Sequence, residues 1–135
     1  MNRASRVMWL EMQELNNGIR LRAYKKQAKQ HAMNVRKHVI NREGHIETFL
    51  MRKKNNANSL MKAANSLNAA KRSKALADKA AKNASKLATN IHAVWASRMA
   101  AKALKYSKMA KNQLNRAFNL YPNVVLRKGR FVVAN

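Results

Sequence analysis

Between residues 19 and 41, apolar side chains return at the spacing of a helix. Projected at ~100° per residue, Leu21, Tyr24, Ala28, His31, Val35 and Val39 fall on one face. Arg22, Lys25, Lys26, Lys29, Arg36 and Lys37 occupy a broad arc away from it, with Met33 and Ile40 intruding on the basic side. Ala23, Gln27, Gln30 and Asn34 fill one flank, and no acid interrupts the arc. This predicts an amphipathic helix with one side for burial and the other for a polyanion. An ordinary solvated face would mix Lys with Glu at i,i+4, because such pairs support a helix.

The region from Ile91 to Tyr121 repeats the plan. Trp95, Met99, Ala103, Tyr106, Ala110, Leu114, Ala117 and Tyr121 share an arc, with Phe118 at its margin. Arg98, Lys102, Lys105, Lys108, Lys111 and Arg116 hold the rest. The apolar stripe reads as helix–helix packing. Residues 57–79 show no such segregation.

Breakers place the expected boundaries. A first helix is expected from Arg3 to Leu15, stopping at Asn16-Asn17-Gly18, and a second from Ile19 to Asn41, ending near Gly44. A short third helix runs from His45 to Lys54, and Asn55-Asn56 reads as a loop. From Ala57 to Leu120 there is neither Gly nor Pro, and good helix formers dominate. A straight helix of that length would span roughly 95 Å at ~1.5 Å per residue. A turn is therefore expected, near Ser66 to Ser73 or near Thr89-Asn90. Beyond Pro122, the β-branched runs Val124-Val125 and Val132-Val133 flank a connection containing Gly129, a hairpin signal. An extended tail is the alternative.

The expected fold is thus all-α: several amphipathic basic helices, as a hairpin or bundle completed by partners, with a short C-terminal β-hairpin or tail. Three regions follow: a basic helical arm (1–56), an Ala/Lys-rich helical region (57–121) and the hairpin or tail (122–135).

Composition sharpens the functional reading. The chain of 135 residues carries 29 Lys and Arg against 5 acids, a formal charge of +24. Such an imbalance repels itself when compact and calls for a nearby polyanion, of which nucleic acid is the usual one. Hydrophobic residues reach 47%, but much of that is Ala and aromatics are only 6%, so the interior should be thin. Arg20 joins the Lys and Arg residues named above as a candidate phosphate contact. Helical Lys and Arg reach phosphates without reading bases. No helix-turn-helix, zinc finger or RNP motif is evident.

Chemistry beyond binding finds little support. Cysteine is absent, so thiol catalysis and Cys-ligated zinc are excluded. His31, His38 and His45 recur every seventh residue, roughly 10.5 Å apart on a helix, too far to share one metal within a chain. Glu11 with Glu14 and Glu43 with Glu47 are the only carboxylate pairs. They suit ion pairs with nearby Arg better than a paired-carboxylate nuclease. No P-loop, Rossmann glycine pattern or nucleophile elbow is found. The reading is a protein with no catalytic role, no metal and no cofactor. No stretch reaches 18 consecutive apolar residues, so no transmembrane segment is expected.

With basic helices around Arg22 to Lys37 and Arg98 to Arg116, the plan resembles the small coat proteins of rod-shaped and filamentous archaeal viruses. That resemblance implies a virion nucleoprotein whose helices wrap DNA in a filament of paired subunits, with copies of itself as partners and the virion as its location. DNA is favoured over RNA, bound independently of sequence. A peripheral RNA-binding subunit of an organellar ribosome is the first alternative. A histone-like DNA compactor is the second, since Ala69-Ala70-Lys71-Arg72-Ser73-Lys74-Ala75 resembles the Ala/Lys stretches of linker-histone tails. A membrane-active cationic protein using Trp9 and Trp95 is the third.

Overall fold

The computed structural model describes residues 2–51, 56–120, 124–127 and 130–133, with residues 56–57 and the last two stretches described by backbone alone. Three long helices account for the fold: α1 (Arg3–Met51), α2 (Asn56–Ala88) and α3 (Val94–Asn119). They form an up-down-up bundle. Gly18 lies beside Trp95 at one end, and Arg42 meets Ala117 and Leu120 at the other, so α1 and α3 run parallel with α2 antiparallel to both.

The expected breaks within residues 1–51 do not occur. Helices ending at Asn16-Asn17-Gly18 and near Gly44 are replaced by one helix of 49 residues, roughly 73 Å long at ~1.5 Å per residue. A helical Gly costs only about 1 kcal/mol relative to Ala, and packing outweighs that here. From Gly18 onward, Leu21, Ala28, Ala32, Val35, Val39, Arg42 and Ile46 are buried at alternating spacings that keep one stripe on the bundle axis. Gly18 is itself useful: a Cβ there would sit 3.4 Å from the Trp95 ring, so its small size lets the indole lie close to the helix. Gly44 has open space around it.

The expected loop at Asn55-Asn56 is half outside the described residues, since α2 begins at Asn56. Of the two sites expected for the turn in residues 57–120, the second holds it. After Ala88, the chain turns at Thr89–Asn90, with Asn90 N–H donating to the Leu87 carbonyl and Ile91 N–H to that of Ala88. Ser66 to Ser73 stays helical because Ala63, Ala70 and Ala77, seven residues apart, are all fully buried along α2.

Ala dominates the interior: 14 of the 21 buried hydrophobic residues described are Ala. Side chains this small allow helix axes near the short end of the usual ~8–10 Å separation. Ala96, Ala103, Ala110 and Ala117, again seven apart, form the inner edge of α3. Two core clusters follow the bundle, one from Leu21 and Ala28 toward the turn and one from Val35 and Val39 toward Leu114, with Tyr106 packed against both.

The end of α3 is held by α1. The buried Arg42 donates from Nη1 to the carbonyls of Ala117 (2.9 Å) and Leu120 (3.0 Å), which the helix leaves without intrahelical partners. A cation there also meets the negative end of the helix dipole. Burial pushes the Arg42 guanidinium below its ordinary pKa, and the adjacent Glu43 carboxylate raises it in part. Glu43 in turn accepts from Arg116 Nε at 3.1 Å and Nη2 at 3.4 Å.

Past Leu120, the described backbone is two extended stretches of four residues, Val124–Arg127 and Arg130–Val133, running antiparallel. Their connection and all their side chains lie outside the described residues. The fold is all-α, and the expected hairpin is not established as a unit of it. Among the described residues, no helix is long and apolar enough to cross a membrane.

Candidate nucleic-acid interface

The inward Ala stripes dictate where the charges go. On α1, Arg22, Lys26, Lys29, Arg36 and Lys37 are exposed, while Lys25 is half-buried at the edge of the core stripe. Arg20 stands apart from this arc, rotated by roughly 100° or more from every member of it at ~100° per residue. Its Nη2 lies 3.5 Å from the Tyr24 hydroxyl. On α3, Arg98, Lys102, Lys105, Lys108, Lys111 and Arg116 are all exposed. Arg116 is also committed to Glu43, so it serves the fold as well as the surface.

The apolar faces fall only partly as expected. Leu21, Ala28, Val35 and Val39 are buried, and Tyr24 and His31 are half-buried. Ala103, Ala110, Leu114 and Ala117 are buried, Met99 and Tyr106 half-buried, but Trp95 and Phe118 are 39% and 44% exposed. Tyr121 lies outside the described residues. The Phe118 ring has Lys71 Nζ 5.6 Å from its centroid, a cation–π contact between α3 and α2.

Sequence reasoning missed the basic face of α2. Lys71, Arg72, Lys79, Lys82 and Lys86 are exposed and lie on the side of the helix away from Ala70, Ala77 and Ala84. The signal was the seven-residue Ala repeat, which hydropathy hardly registers because Ala is only weakly apolar. Asp78 is the single acid of α2, and it is occupied: Lys74 Nζ lies 2.8 Å away, and the Ser107 hydroxyl donates to its other oxygen.

Each helix therefore turns a basic face outward from a shared core. In a three-helix bundle those faces point in different directions, so the charge encircles the bundle and the predicted contacts do not gather in one groove. Where α1 meets the end of α2, Arg20, Tyr24, Asn83, Lys86, Leu87 and Asn90 line a shallow cavity of about 300 Å³. Two cations and two amides there can accept an anionic oxygen. Among the described residues, no three His, Asp or Glu side chains converge as a metal set.

Comparison with protein-family models, with curated proteins and with solved structures finds no match to this chain.

Proposed function

We propose that this is a structural nucleic-acid-binding protein that coats or wraps a genome by neutralising phosphates, with no catalytic step. The observation that carries the reading is the outward basic face on all three helices, in a chain whose formal charge is +24. Lys and Arg so arranged follow a phosphate backbone without reading sequence. The virion is the proposed setting, with DNA as the favoured partner and the C-terminal segment, residues 123–135, as an assembly element.

The encircling charge also favours a second reading. A bundle that is basic on several sides suits a site enclosed by folded RNA, as in a peripheral ribosomal subunit. Extracting the nucleic acid from native particles and digesting it with DNase or RNase separates the two. One long DNA of uniform length supports the coat reading, and discrete RNase-sensitive species support the ribosomal one.

Phosphate contact itself is tested by salt dependence. With about ten contacts, log affinity for duplex DNA should fall with log salt at a slope near −9. Changing Arg22, Lys29 and Arg36 to Gln should weaken binding evenly across sequences and flatten the slope by about 3. An unchanged slope would remove this face from the interface.

A further inference from the structure

The first buried residue of α1 is Gly18, so residues 3–16 project beyond the bundle as a free helical arm of roughly 21 Å. Its start is well formed: Ser5 N–H donates to Asn2 Oδ1 at 2.8 Å, a helix N-cap. The arm differs in kind from the body. From Val7 to Ile19 there is no Lys or Arg, and Glu11 and Glu14 balance Arg3 and Arg6, leaving residues 1–19 neutral by formal side-chain charge. The whole +24 therefore resides in residues 20–135.

The arm also carries an uncovered apolar stripe. Met8, Met12, Leu15 and Ile19 follow one another at spacings of four, three and four, which places them on one side of the helix. They are 64%, 62%, 63% and 55% exposed. At the same spacing the stripe continues into the body as Arg22, Lys26 and Lys29, so it is apolar on the arm and basic beyond it.

We propose that the arm is a self-association element: the stripes of two copies pack against each other with the arms antiparallel. Two bodies of this charge repel along any shared face, whereas the neutral arms can meet. Antiparallel packing sends the bodies to opposite ends of the contact; parallel packing would set them side by side. The apolar spacing is that of a two-helix seam.

The test is the mass of nuclease-treated, nucleic-acid-free full-length protein by light scattering or sedimentation at moderate salt. The proposal expects a species of about twice 15.4 kDa. The double variant Met12→Lys/Leu15→Lys should return it to the monomer mass with an unchanged thermal melt, because the arm lies outside the core. A parent protein that stays monomeric at high concentration overturns the proposal, and so does a double variant that remains dimeric. Binding of a monomeric parent to anionic vesicles through the arm would assign the stripe to lipid instead. Orientation is read from a spin label on Ser5→Cys, which keeps the Asn2 cap and is a unique thiol because the chain has no Cys. Labels held far apart in the dimer support antiparallel arms, and adjacent labels overturn them. None of these outcomes depends on whether the body binds nucleic acid.

Discussion

Replacing Arg42 with Met tests whether a buried cation secures the end of α3. Arg42 is 3% exposed and donates two hydrogen bonds from one nitrogen to carbonyls in the last turn and cap of that helix. Hydrogen bonds from a charged donor contribute about 1.5–3 kcal/mol each, a gross loss of roughly 3–6 kcal/mol. Against this, removing the guanidinium also removes its own desolvation cost, which is several kcal/mol for a buried ion. What remains is dominated by the Ala117 carbonyl, left unpaired in a buried position at about 1–3 kcal/mol. The expected net destabilisation is about 2 kcal/mol. For a helical body of this size it should lower the melting temperature by about 6–8 °C. Thermal unfolding followed by helical circular dichroism, in enough salt to screen self-repulsion, measures it. Arg42→Lys should fall between parent and Met variant, since an ammonium keeps the charge but loses the planar fork. A melt for Arg42→Met within about 1 °C of the parent would refute the reasoning. It would mean that solvent or neighbouring groups satisfy those carbonyls just as well.

Other outcomes are expected from the same geometry. Gly44→Ala should stabilise the protein by about 0.5–1 kcal/mol, seen as a higher denaturant midpoint, because nothing lies within 4 Å of the added methyl group. Ala110→Leu should destabilise by about 1–3 kcal/mol, because the position is fully buried between close-packed helices. Changing Lys79, Lys82 and Lys86 to Gln should flatten the salt dependence of nucleic-acid binding about as much as the α1 triple variant does; no change would limit the interface to α1 and α3. Deleting residues 123–135 should impair particle assembly more than nucleic-acid binding, and unimpaired assembly would remove functional support for the C-terminal element.

The helical class, the near-absence of acids and the basic arc of α1 were legible in the residues alone. Each is a local property: propensity summed over long stretches, composition, and a stripe marked by Leu and Val. The residues also narrowed the turn of the Ala-rich region to two places. Thr89-Asn90 follows the last buried Ala of the repeat Ala63, Ala70, Ala77 and Ala84, but Ala and Ser differ too little in hydropathy for that repeat to stand out. That α1 passes unbroken through Gly18 and Gly44 came from packing between distant segments. A glycine costs about 1 kcal/mol locally, and the compensating contacts, such as Trp95 over Gly18, come from residues far along the chain. The same holds for Arg42, which in sequence is one more cation among 29 and becomes a helix cap only when α3 ends beside it. The arm follows the same logic. Residues 3–16 read as an ordinary helix until the lengths of α2 and α3 are known. They remain uncovered because the bundle ends at the Thr89–Asn90 turn, and burial depends on what the rest of the chain can reach.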